Sequence, residues 1–139
     1  MDFKTYQERS TKTFKSHKPL NEHQARILDW ALGLQGEVGE ITEIVKHHIF
    51  HEEALDKMKV AKEIGDLLWY ISALTHTLDI PLDACAVLNL AKLEHRHGSS
   101  GYSHQGSALR HEKEQQFTDT PIYKQLKGII INGSSNKEV

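Results

Sequence analysis

Apolar residues recur along this chain at helical rather than strand spacing. From Ile27 the series Ile27, Ala31, Leu34, Val38, Ile41 and Val45 alternates steps of four and three. That makes one stripe on a helix of about 3.6 residues per turn. It predicts a long helix over about 22–50, opened by Asn21 as N-cap with Gln24 three residues on. "HEEALD" breaks the pattern. A second series, Val60/Ala61, Ile64, Leu68, Ile71, Thr75 and Leu78, predicts a helix over about 54–79. Pro81 suits the first turn of a further helix, about 81–97, which Gly98 closes. Ahead of these, residues 2–14 carry Phe3, Tyr6 and Phe14 on a short helix, and "KSHKPLN" connects it to the first long one. Pro19, Pro81 and Pro121 all fall at element boundaries.

Beyond Gly98 the signal weakens. "GSSGYSHQGS" predicts a loop, and residues 108–117 a weak helix. Ile129 to Ile131 suit a short strand or a docking arm, and "NGSSNKEV" a tail. Strand-type alternation is almost absent, so the expected class is all-α, a helical bundle. The short connector makes the two long helices antiparallel neighbours. In "LLWYISAL" the residues Leu67, Leu68, Trp69, Ile71 and Leu74 cover an arc wider than one neighbour can bury. Helices from two chains are therefore expected to complete a four-helix bundle in a two-fold homo-oligomer. The organisation expected is a helical domain over 1–107 and a C-terminal extension over 108–139.

The acids within this pattern carry the candidate chemistry. On the first long helix Glu37 and Glu40 lie about 60° and 120° from the stripe centre, on the same side, while Glu43 points away. On the second, Glu63 and Asp66 repeat the i, i+3 spacing. Counted outward from the break near residue 52, Glu40 is about 12 residues back and Glu63 about 11 forward, so the pairs reach matched heights. Four carboxylates crowded together raise one another's pKa and call for a cation. Hard divalent ions with oxygen ligands answer that need, Mg²⁺ above all, with Mn²⁺ as a substitute. Gly36, Gly39 and Gly65 beside the acids imply close backbone approach or room for a ligand. Asn89, Lys92 and Arg96, spaced three and four, line one face of the third helix and suit phosphate oxygens. Together the two faces imply a metal-polyphosphate substrate.

Composition narrows the picture. A chain of 139 residues builds one domain with a real core. A net charge of -2 excludes binding nucleic acid through a basic face. The single cysteine, Cys85, excludes an intrachain disulfide and fits a reducing compartment; its apolar helix reads as core. "MDFKTYQERSTKTF" has no apolar region of a secretory signal, and no run is long enough to span a membrane, so a cytoplasmic protein is expected. His47, His48 and His51 are placed where a helix dipole favours imidazole, and His47 with His51 has zinc-ligand spacing. Glu94 and His97 make one ExxH where a di-iron site needs two with further Glu ligands. Trp30 and Trp69 fit core packing better than base stacking.

"GLQGEVGEITEIVK" followed by "KEIGDLLWYISALTHTLDIPLDACAVLNLAKLEHRH" resembles the MazG-like nucleotide pyrophosphohydrolases of the all-α NTP pyrophosphatase superfamily. The shared features are ExxE, then ExxD, then an Asn-Lys-Arg face, over about residues 3–103. The resemblance implies cleavage between the α- and β-phosphates of a nucleoside triphosphate, to monophosphate and pyrophosphate. It implies Mg²⁺ on Glu37, Glu40, Glu63 and Asp66, with Glu37 or Glu40 activating water. It implies phosphate contacts from Asn89, Lys92 and Arg96, Tyr70 in the nucleotide pocket, and a dimer or a dimer of dimers. Two departures stand out. Gly36 occupies a position where some members carry a further Glu, and "RHGSSGYS" replaces an aromatic-Pro loop, which leaves Tyr102 as the phosphate contact there. Phosphoribosyl-ATP hydrolysis and a non-enzymatic helical interaction module are the alternative readings.

Overall fold

The computed structural model describes residues 1–99 and 101–132. They form α1 (Phe3–Ser10), extended by a 3₁₀ turn at Thr11–Thr13, then α2 (Glu22–Phe50), α3 (Lys57–Thr77), α4 (Leu82–His97), α5 (His104–Ala108), α6 (Arg110–Thr118) and α7 (Pro121–Asn132). Among the described residues there is no strand. Asn21 caps α2 with a complete capping box: its side chain accepts from Gln24 N–H at 2.8 Å, and the Gln24 side chain accepts from Asn21 N–H at 3.1 Å. Asp56 caps α3 by accepting from Met58 and Lys59 N–H, both at 3.0 Å. These two caps frame a hairpin of long helices that is the largest packing unit in the chain.

The hairpin seam is not centred where the leading stripes suggest. On α2 the half-buried positions include Ile27, Trp30, Leu34, Glu37, Ile41 and Ile44; on α3 they include Val60, Glu63, Leu67, Tyr70 and Leu74. Both sets alternate threes and fours, the spacing of helices packed at a shallow angle. Half of the expected α2 stripe lies outside that seam, with Val38 52 % exposed. Ile64 and Leu68, expected as the α3 core face, are also exposed. Each helix therefore carries two apolar strips, and one chain covers only one of them.

α3 ends in a Schellman motif. Ile80 N–H donates to Thr75 C=O at 2.9 Å and Asp79 N–H to His76 C=O at 3.2 Å, with Asp79 left-handed at φ 54°. Pro81 follows, as the N-cap of α4 rather than in its first turn. The axis of α4 turns 106° from that of α3. α4 then packs on α5, α6 and α7, with no contact of that extent to α2 or α3. The small core of this second unit is Ala84, Phe117 and Leu126, the buried apolar residues among those described. Gly106 lets α5 close on the end of α4, because any Cβ there would overlap the Arg96 carbonyl oxygen.

Two expectations for the C-terminal part change. Ile129 to Ile131 belong to α7 and form no strand. His104–Ala108 is a short helix inside the expected loop. The tail expected over 132–139 lies, after Asn132, outside the described residues. The exposed surface totals 11527 Å², against roughly 7300 Å² for a compact monomer of this mass. No single described helix is long and apolar enough to cross a membrane.

Candidate active site

Glu37 and Glu63 stand on the hairpin seam, where the other positions are mostly apolar or aromatic. Asp66, one turn beyond Glu63, turns toward them. One carboxylate oxygen from each of the three lies within 4.8 Å of the others, the one such metal-capable group among the described residues. Burial holds the Glu37 carboxyl above its ordinary pKa, and the charges of Glu40, Asp66 and Glu63 add to the shift in that order. Three hard oxygen donors crowded this closely form a donor set that fits a divalent hard ion. Nothing approaches within 4 Å of where a Cβ would stand on Gly36, Gly39 or Gly65. Those glycines therefore border open space and not a closely packed backbone.

Glu40 stays outside the group of three. It is exposed and lines a cleft of about 450 Å³ at the closed end of the hairpin, with Glu43, His47, Glu53, Asp56 and Lys59. Glu43 points away from the seam, as expected, but is not merely solvated. It accepts from Lys46 Nζ at 2.8 Å and meets His47 Nε2 at 3.0 Å. The other ring nitrogen of His47 meets Glu53 Oε1 at 2.8 Å. Glu53 and then Glu43 raise the His47 pKa, and His47 holds Glu53 below the usual carboxylate range. Both nitrogens of His47 are thus engaged by the connector and its own helix. His48 Nδ1 bonds the Glu53 carbonyl at 2.8 Å. These contacts tie the end of α2 to residues 51–56 and give the histidine cluster a structural role.

Tyr70 lies on the seam one turn from Asp66. Its ring covers Gly33 of α2 so closely that a Cβ there would overlap it. It packs at 4.9 Å from Trp69 and 6.4 Å from Trp30. Trp30 Nε1 donates to Thr77 Oγ1 at 3.0 Å, which fixes Trp30 within the hairpin. Cys85 is half-buried on α4. Asn89 is exposed, and Lys92 and Arg96 are half-buried. Because α4 packs on α5–α7 and makes no contact of that extent with α2 or α3, the basic face and the carboxylates stand on different packing units of one chain. Tyr102 is 70 % exposed and lies between the rings of His97 and His104, at 5.1 and 5.3 Å. His97 Nδ1 also accepts from Ser103 N–H at 3.2 Å, so it is not free for an ExxH metal site. Glu114, which meets Arg96 from α6, has no signal in the periodicity: "RHEKEQQF" reads as a solvated helix.

The model of one family, described as the MazG nucleotide pyrophosphohydrolase domain, matches residues 27–100. That span holds all four acids and the Asn89, Lys92 and Arg96 face, and leaves out Tyr102. The gene 37 protein of Mycobacterium phage L5 is 33% identical over 69 residues, which cover 47% of this chain and 60% of the phage protein. The chain thus spans less than two thirds of that relative's length. No solved structure matches it.

Proposed function

The chain belongs to the MazG nucleotide pyrophosphohydrolase family, and from that membership we propose that it hydrolyses a nucleoside or deoxynucleoside triphosphate between the α- and β-phosphates, with Mg²⁺. The observation that carries this reading is the convergence of Glu37, Glu63 and Asp66 on one seam inside the matched segment. Those three would hold the ion. Bound there, Mg²⁺ supplies Lewis acidity and neutralises charge on the phosphate oxygens. Glu40, exposed at the rim and outside the group of three, orients the attacking water and takes its proton. Lys92 and Arg96, with Asn89, bind the phosphate chain and stabilise the charge that grows on it. Tyr70 forms the wall of the nucleotide pocket beside Asp66, and Tyr102 closes over the phosphates from the loop after α4.

The basic face reaches the carboxylates by assembly. Two copies related by a two-fold axis cover each other's open strips on α2 and α3 and set α4 of one against the acids of the other. The surface in excess of a compact monomer and the separation of the two faces within one chain support this arrangement.

A panel of canonical and modified triphosphates with Mg²⁺, scored for pyrophosphate release, tests the reading and fixes the base and sugar preference. Glu40→Gln and Asp66→Asn should abolish release while the helical content stays intact. Retained turnover in both variants sinks the assignment.

A further inference from the structure

Arg96 raises a question that its family role leaves open. Its side chain is only 13% exposed, and its Nε is buried with no hydrogen-bond partner. A buried guanidinium is costly unless an anion compensates it. The nearest is Glu114 on α6, with its Oε2 3.8 Å from Arg96 Nη2. Among the described residues this is the one ion pair that joins two different helices. At 3.8 Å it is an electrostatic contact and not a hydrogen bond. It draws the guanidinium toward α6 without accepting a hydrogen bond from it. α6 itself is held in place: Phe117, one turn on from Glu114 and 3% exposed, anchors it in the core it shares with α4 and α7.

We propose that Glu114 is a positioning residue for the hydrolase, and that α6, beyond the segment matched by the family, belongs to the working site. Its carboxylate draws one Nη of Arg96 toward α6 and so sets the plane of the guanidinium, from which the Nη–H groups meet a substrate phosphate oxygen while the Nε–H stays inside. The proposal rests on Arg96 being a phosphate contact, and it extends the site to a helix that the phosphate-binding face does not include.

The test uses the full chain with Glu114→Gln and Glu114→Asp, each also in an Arg96→Lys background. With the best triphosphate, Glu114→Gln should raise KM about tenfold with a smaller change in kcat, the size expected of a coupled pair. Glu114→Asp should recover part of that loss. In the Arg96→Lys background, Glu114→Gln should have no further effect, because a point-charge ammonium has no fork to aim. Equal effects in both backgrounds overturn the proposal, since Glu114 would then act on stability alone. A fall in KM overturns it too, and would make Glu114 a competitor of the phosphate. A second readout does not need turnover. The nitrogen-15 signal of the Arg96 Nε–H, identified by its loss in Arg96→Lys, should be slow to exchange and should become fast in Glu114→Gln. A chain with no hydrolase activity refutes the functional reading and leaves that signal to decide whether Glu114 orders Arg96. An Nε–H that is unchanged in Glu114→Gln overturns the proposal on its own.

Discussion

Leu68 sits at the middle of the open strip on α3, 57% exposed. Full burial of a leucine side chain contributes about 1.5–3 kcal/mol. A little over half of that remains to be gained, so a partner burying it recovers about 1–2 kcal/mol per copy. A two-fold interface repeats the contact, giving about 2–4 kcal/mol per dimer. Leu68→Ala should therefore raise the dimer dissociation constant about 30- to 800-fold. Leu68→Glu should do more, because each copy would also have to desolvate a charge. Sedimentation or light scattering across nanomolar to micromolar concentrations reads the effect, and circular dichroism confirms that the helices persist. The native chain should weigh at least twice 15.8 kDa at micromolar concentration. A native chain that runs as an active monomer refutes the argument, and so does Leu68→Glu with unchanged mass.

Two further outcomes follow from the same hairpin. The Glu37 carboxyl has a raised pKa in the folded state, so its ionisation destabilises the fold; metal-free stability should fall as pH rises from the ordinary value of 4.5 through the raised one. Glu37→Gln should flatten that slope and raise the thermal midpoint at neutral pH, and Mg²⁺ should flatten it in the native chain; a native slope equal to that of the variant removes the basis for the cluster. Gly33→Ala places a methyl group in the Tyr70 ring and should cost about 1–3 kcal/mol by urea denaturation, with much of it recovered in a Tyr70→Leu background; a silent Gly33→Ala means the ring does not rest on α2.

Much of this fold was legible because local chemistry and global packing agree. The Asn21–Gln24 capping box marks the start of α2, and the break at "HEEALD" marks the hairpin turn, although Asp56 starts α3 at Lys57, later than the apolar pattern alone suggests. The seam lies off the expected stripe for a physical reason. Each long helix has two apolar strips side by side, and a single stripe drawn through both averages their directions. Glu37 then looks like a flank residue although it stands between the helices. The strand reading of α7 fails because the β-branched run Ile129–Ile131 favours strands only in isolation. Leu126, 5% exposed, fixes that segment as a helix on α4 instead. Glu114 was invisible, because its partner lies on another helix and pairing across helices leaves no period in the sequence. The direction of α4 was equally hidden: Pro81 announces a boundary but not an angle.

The 106° turn between α3 and α4 has a consequence for inheritance. In the assembly proposed above, each working site takes its acids from one chain and its basic face from the other. An allele broken on α2 and an allele broken on α4 then fail in different halves of the site. Made together in one cell, they form mixed pairs in which one site collects both defects and the other collects none. Two loss-of-function alleles can therefore complement each other, while two alleles broken on the same helix cannot. The gene would show two complementation groups, divided at Pro81.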